Sequence, residues 1–271
     1  MHAAPTPDRF PTISIVIPAR NEARNLEEIL PRLPKVHQVI LVDGNSVDDT
    51  IEAARRVMPD IEVVQQTRKG KGNALACGFA AVTGDIVVMF DADGSADAAE
   101  IPAFVDALVA GADVAKGSRF AKGGGSEDIT RFRALGNFGL NLITNTLLGT
   151  RYTDLCYGYN AFWSYVLPHL DLPSTELSMR ADGRMHWGDG FEIETVLNCR
   201  IAAAGMNVVE VPSIERLRIH GASNLNAVSD GFRVLKTILS ERSRGRAVAP
   251  APIGSFAARA SVGEASTADA A

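Results

Sequence analysis

Asp91 and Asp93 stand one residue apart, directly after the apolar run Ile86-Val87-Val88-Met89-Phe90. A short, β-branched apolar run reads as a buried strand. The two carboxylates therefore sit at its carboxyl end, where open α/β sheets bind their ligands. Hard oxygen donors at that place suit Mg²⁺ or Mn²⁺ held together with the phosphates of a substrate. Three further segments also carry polar groups straight after an apolar run: Pro18-Ala19-Arg20-Asn21-Glu22, Asp43-Gly44-Asn45-Ser46, and Arg68-Lys69-Gly70-Lys71-Gly72-Asn73. Asn21 and Glu22 are suited to opening a helix. Asp43 either forms a turn or accepts N–H groups from the edge of uracil or guanine. Cytosine presents an acceptor at that ring position and would be disfavoured there. Glycines on both sides of Lys71 let backbone N–H groups approach a phosphate at a helix N-terminus.

The elements that must position these groups alternate. Strands are expected over 13–17, 36–42, 61–64, 85–90 and 113–116, with helices over 21–33, 48–57, 72–82 and 98–110 between them. That alternation implies a doubly wound, mostly parallel α/β sheet flanked by helices. Beyond Gly117 the pattern loosens, with a glycine run at 123–125, a strand over 207–211 and a helix over 229–240. The segment Ala134–Thr150 carries no charge. It reads as a helix packed in the core, with a helix resting on a membrane surface as the second reading.

Composition narrows the class. The 271 residues are 46% hydrophobic and 22% charged, with a formal net charge of −5. These are the proportions of a globular enzyme, and the charge argues against a nucleic-acid partner. Cys77, Cys156 and Cys199 are too widely spaced for a zinc site or a disulfide framework, and read as reduced thiols of a cytoplasmic protein. Residues 1–11 hold prolines and no apolar run, so they read as a flexible start and not a signal peptide. No stretch reaches the length and apolarity of a transmembrane segment. From 244 to 271 the chain turns to Arg, Ala, Pro, Ser and Gly, the composition of a disordered tail.

In order and spacing, the four junctions resemble the nucleotide-sugar-binding half of the family 2 glycosyltransferases of GT-A fold, here residues 12–116. The resemblance implies that Pro18, Ala19, Glu22 and Asp43 line the nucleoside pocket and that Lys71 contacts the diphosphate. Asp91 and Asp93 would hold the metal and the donor. The family's Asp-Asp-Gly-Ser at the second strand is Asp43-Gly44-Asn45-Ser46 here. The metal-ligating position two residues past Asp93 is Ser95, a poor ligand, which leaves His220 as the candidate to complete the shell.

Residues 117–243 resemble the acceptor half of the dolichol-phosphate mannose synthase branch. The landmarks are Gly117-Ser118-Arg119-Phe120, Arg131-Phe132-Arg133, Asp154-Leu155-Cys156-Tyr157-Gly158, Gly190-Phe191-Glu192-Ile193-Glu194 and Arg218-Ile219-His220-Gly221. By this resemblance Arg119 and Arg131 approach an anionic acceptor. The branch's transmembrane tail has no counterpart in the sequence, so contact with the inner membrane face would be peripheral.

The implied reaction is inverting transfer of a hexosyl group from a UDP- or GDP-sugar. Metal and Lys71 would stabilise the departing diphosphate, with Asp93 among the catalytic groups. A phosphate acceptor such as a polyprenyl phosphate needs arginines and no base. A hydroxyl on a soluble molecule or glycan needs a general base, and the acids Asp189, Glu192 and Glu194 crowd one helix start. Glu192 is the first candidate for that base and Asp189 the second. A sugar-1-phosphate nucleotidyltransferase would carry a glycine-rich loop after its first strand, which Pro18-Ala19-Arg20-Asn21-Glu22 is not. A non-catalytic nucleotide-sugar binder would have lost the metal carboxylates, and both are present.

Overall fold

The structure, a computed structural model, describes residues 10–221 and 227–247. The first half alternates as expected: β1 (Ile13–Ala19), α1 (Ala23–Ile29), β2 (Gln38–Asp43), α2 (Thr50–Val57), β3 (Glu62–Gln65), α3 (Lys71–Ala81), β4 (Ile86–Met89), α4 (Ile101–Val109) and β5 (Val114–Ser118). The second half holds β6 (Gly125–Ser126), α5 (Arg131–Leu148), β7 (Asn160–Trp163), α6 (Ile193–Ala203), β8 (Val208–Pro212), β9 (Ile214–Glu215) and α7 (Ala227–Ala247).

Seven strands form one sheet in the order β3-β2-β1-β4-β7-β5-β8, and β6 pairs with β9 in a second, small one. All neighbours in the large sheet are parallel except β7, which runs antiparallel between β4 and β5. The sheet is buried on both faces, because its strands alternate. Ile15, Ile17, Leu41, Ile86 and Val88 enter one apolar layer with Leu26, Ile101 and Phe104 from the helices. Val16, Ile40, Val42, Val87 and Met89 enter the other with Leu75, Phe79, Ile193 and Leu197. Parallel β1, β2 and β4 thus deliver their carboxyl ends, and the acids that follow, to one rim.

Four expectations need correction. The first helix begins at Ala23, because Asn21 takes a left-handed backbone (φ 57°) and breaks the run. Strand β7, Asn160–Trp163, is an addition to the strands expected from the sequence. The uncharged segment forms most of α5, which lies at the surface: Phe132, Leu135, Phe138 and Leu142 are 59–69% exposed, and the helix's buried residues are Asn137, Asn141 and Thr144. The polar face turns inward because its amides hold the loop behind them. Asn141 donates to the Thr153 carbonyl at 2.6 Å and accepts from Leu155 N–H at 2.8 Å, and Asn145 donates to the Tyr152 carbonyl at 2.8 Å. Finally, α7 continues to Ala247, so the first four residues of the expected tail are helical. The rest of that tail, 248–271, and residues 1–9 of the expected flexible start lie outside the described residues.

Candidate active site

The loops after β1 and β2 are stitched into one unit. Asn21 N–H donates to Ser46 Oγ (2.9 Å), Val47 N–H to Asn21 Oδ1 (2.8 Å) and Glu22 N–H to Thr50 Oγ1 (3.0 Å). The left-handed turns at Asn21 and Asn45 (φ 57° and 58°) make these crossings possible. Pro18 and Ala19 lie on the edge of this unit, on strand β1, with Ala19 paired to Asp43 in the sheet. Asp43 is buried at the end of β2. Its carboxylate accepts from Ser46 N–H at 3.2–3.3 Å and from Gln65 Nε2 at 2.8 Å.

The loop before α3 is built differently from the expectation. Gly70 has φ 123°, and a Cβ on it would meet the Asp189 carbonyl oxygen at 2.1 Å; one on Gly72 would meet the Gly188 carbonyl oxygen at 1.8 Å. Both glycines are therefore required by the backbone of 188–189. That backbone also takes the Asn73 N–H, which donates to the Asp189 carbonyl at 3.1 Å. Lys71 reaches past this seam. Its Nζ pairs with Asp91 (2.8 Å) and with Glu194 (2.7 Å). Burial pulls the ammonium's pKa down, but Asp91 and Glu194 together hold it above its ordinary value, so Lys71 is a fixed cation at the rim.

Asp93 has its own cation. Arg218 Nη2 is 3.2 Å from Asp93 Oδ2, and its Nη1 is 2.8 Å from Glu22 Oε1. The segment that carries it lies along the loop after β4, with Arg216 N–H on the Ser95 carbonyl (2.8 Å) and Ile219 N–H on the Asp93 carbonyl (3.1 Å). His220 is anchored through its backbone: its N–H donates to Asn25 Oδ1 and its carbonyl accepts from Asn25 Nδ2. Among the described residues no three His, Cys, Asp or Glu side chains converge in ligating geometry, so His220 is not joined to Asp91 and Asp93 here. The pair itself fits a hard divalent cation. Both carboxylates keep part of their surface open (36% and 22%), and both now face positive groups. A metal held there would draw its remaining ligands from donor phosphates and water.

The second-half expectations divide. Asp189 is fully buried against Arg68 in a two-pronged pair, Nε to Oδ2 at 2.7 Å and Nη2 to Oδ1 at 2.9 Å. Arg68 also binds the carbonyls of Ser174 and Leu177, so this pair ties the loop ahead of α6 to the Lys71 loop. Glu192 is buried, and its Oε1 accepts from Gly188 and Gly190 N–H at 3.0 and 3.2 Å. Arg119 is buried with Asp154 (2.6 Å) and Glu215 (3.0 Å), its guanidinium over the Tyr157 ring. These three side chains are thus engaged in holding loops together. Arg131 stands exposed at the start of α5, and Arg133 beside it pairs with Asp128 (2.8 Å). The groups that the structure adds to the rim are Glu194 and Arg218. Both lay inside the acceptor-half landmarks, and their motif gave the only signal.

Four carboxylates (Glu22, Asp91, Asp93, Glu194) and two cations (Lys71, Arg218) thus meet at one rim of the sheet, beside a stitched pair of loops. The model of glycosyl transferase family 2 matches residues 14–169. The chain belongs to that family. It is 29% identical over 223 residues to a dolichol-phosphate mannosyltransferase of Pyrococcus furiosus, spanning 79% of this chain and only 59% of that one. It is 32% identical over 224 residues to a polyprenol monophosphomannose synthase of Mycolicibacterium smegmatis, spanning 78% and 80%. Glucosyl-3-phosphoglycerate synthase of Mycobacterium tuberculosis, crystallised with Mn²⁺, UDP and glucosyl-3-phosphoglycerate, superposes with a TM-score of 0.64 at 24% identity. That likeness covers 86% of this chain and 80% of that one, and it establishes the GT-A fold.

Proposed function

We propose that this glycosyltransferase moves a hexosyl group, with inversion, from a UDP- or GDP-sugar to the phosphate of a polyprenyl phosphate, using Mg²⁺ or Mn²⁺. The donor half of the reading rests on Asp91 and Asp93 at the rim of the sheet with Lys71 and Arg218 against them. A divalent cation bound there supplies charge stabilisation to the departing diphosphate. Lys71 adds a fixed positive charge on the same side. Asp43 and the 18–22 loop orient the base, and Glu22 holds Arg218 in place.

One observation carries the acceptor: exposed Arg131 opens a helix whose outward face is Phe132, Leu135, Phe138 and Leu142. A guanidinium beside an apolar face suits a phosphate on a hydrocarbon chain. An ionised phosphate needs no base, which agrees with Asp189 and Glu192 being engaged elsewhere. The two relatives named for mannosyl transfer to dolichol or polyprenol phosphate support the same acceptor class. Among the described residues no helix is long and apolar enough to cross a membrane. We propose that the protein works at the inner membrane face, on its cytoplasmic side, through the exposed apolar face of α5.

A second reading follows from Glu194, which stands 2.7 Å from Lys71 at the rim and would serve as a base toward a hydroxyl acceptor. The test offers UDP- and GDP-hexoses with Mn²⁺ and either polyprenyl phosphate or soluble hydroxyl acceptors. Transfer to the lipid phosphate that survives Glu194→Gln supports the first reading. Transfer only to a hydroxyl, lost in Glu194→Gln, replaces it with the second.

A further inference from the structure

Two buried polar side chains reach one short loop from adjacent strands. Lys116 on β5 and Asn160 on β7 are register partners. Lys116 is fully buried, and its Nζ donates to the Tyr157 carbonyl at 3.2 Å. Asn160 is buried too, and its Nδ2 donates to the Gly158 carbonyl at 3.2 Å. Stability is a poor reason for either residue, because burying an ammonium or an amide with few partners costs free energy. Asn160 Oδ1 has no partner among the described residues. The carboxylates that act on Lys116 are already engaged, Asp154 by Arg119 and Glu210 by Thr153.

The two carbonyls are consecutive, so the peptide planes on both sides of the Gly158 Cα are held. A glycine would otherwise be the freest point of this loop. A Cβ on Gly158 would stand 3.4 Å from Glu194 Oε1 and 3.5 Å from both Asp91 Oδ2 and Lys71 Nζ. These are ordinary contact distances, so the empty site has room for an alanine. The bare glycine leaves that volume beside the cluster open.

We propose that Lys116 and Asn160 are positioning residues that hold Gly158 as a wall for the transferred hexosyl group. The inference rests on the donor reading above, in which Lys71 and a cation at Asp91 take the leaving diphosphate. The sugar bonded to that diphosphate then lies beside the cluster, against the Gly158 backbone. Transfer depends on where the sugar carbon stands between leaving group and acceptor, and a misplacement of about 1 Å can cost about 10²-fold in rate. Lys116 and Asn160 touch no substrate; they act through the two carbonyls.

The test measures donor turnover with polyprenyl phosphate and Mn²⁺, binding of UDP and GDP, and Tm. The proteins are wild type, Lys116→Met, Asn160→Leu, Gly158→Ala and the double variant Lys116→Met/Gly158→Ala. Lys116→Met should keep or raise Tm, because it removes a buried charge, yet lower kcat by about tenfold or more. Its binding of the nucleoside diphosphate, which carries no sugar, should be unchanged. Asn160→Leu and Gly158→Ala should show the same split between kcat and diphosphate binding. In the double variant the two losses should fall well short of multiplying, because both act through one stretch of backbone. Wild-type turnover in Lys116→Met and Asn160→Leu, or a loss of rate that only follows Tm or diphosphate binding, would overturn the positioning role. Losses that multiply in the double variant would overturn it too. Absence of turnover from every UDP- and GDP-hexose in wild type would overturn the donor reading, and this inference with it.

Discussion

The Lys71 ammonium sits astride the Asp91 carboxylate, 2.8 Å from one oxygen and 3.0 Å from the other. Glu194 pairs with the same ammonium at 2.7 Å. One lysine thus joins the start of α3, the loop after β4 and the start of α6. Lys71→Met should lower kcat by about 10²–10³-fold, the usual loss when one stabiliser of developing charge is removed. Steady-state donor turnover with saturating metal checks this. A changed KM with unchanged kcat would move Lys71 out of the leaving-group role.

The two arginines expected at the acceptor should separate cleanly. Arg131 is exposed, while Arg119 neutralises Asp154, which is fully buried. Arg131→Ala should cut transfer to polyprenyl phosphate at least about tenfold, the loss of one charged hydrogen-bonding partner, with Tm unchanged. Arg119→Ala should cost about 3–5 kcal/mol of stability, because it strands a buried carboxylate. Chemical denaturation of both variants, beside the transfer assay, distinguishes a ligand contact from a loop tie.

The pair Arg68–Asp189 gives a sharper version of the same contrast, since both side chains are almost wholly buried. Either Arg68→Met or Asp189→Leu alone should destabilise by about 3–5 kcal/mol. The double variant Arg68→Met/Asp189→Leu should recover much of that loss, because neither charge is then left unpaired. Urea unfolding of the three variants measures it. Strict additivity would deny the pair its role in holding the loop.

Much of this architecture was legible in the sequence, and the reasons the remainder was not are physical. The β1–β5 order and the rim acids follow from apolar runs ending in polar residues, because a parallel sheet buried on both faces leaves that pattern. Strand β7 has four residues and runs against its neighbours, so no βα alternation announces it. The uncharged stretch 134–150 reads as buried, whereas Asn137, Asn141 and Asn145 face inward to hold the 150–155 loop and leave the apolar side of α5 outward. The roles of Asp189, Glu192 and Arg119 turn on which opposite charge or N–H lies across the fold. Arg68 is 121 residues from Asp189 in sequence, and spacing carries no trace of that pairing. Arg218 stands in the Arg-Ile-His-Gly landmark, but its contact with Glu22 spans 196 residues, which spacing does not show.

Lys116 offers a pH test of the interior. It is fully buried, and its Nζ donates to the Tyr157 carbonyl at 3.2 Å. Burial lowers its pKa from the ordinary 10.5, and nearby Asp154 and Glu210 only partly offset this. The unfolded chain therefore binds more protons than the native one between the lowered value and 10.5, so this lysine's penalty fades as pH rises through that window. The stability of wild type relative to Lys116→Met should climb across the alkaline range and level off above the unfolded pKa. Denaturation at a series of pH values checks it. A pH-independent difference would mean that the amine keeps its ordinary affinity for protons.

The most direct measurement is release of nucleoside diphosphate from UDP- and GDP-hexoses by wild type and Asp93→Asn, with polyprenyl phosphate present, in Mn²⁺ and after chelation. Wild type should turn over one of the donors with metal and fall to background with chelator. Asp93→Asn should lose about 10²–10³-fold in rate, as loss of a group that stabilises the leaving diphosphate implies. Turnover that ignores both the chelator and the substitution would contradict a metal-assisted donor site at Asp91 and Asp93.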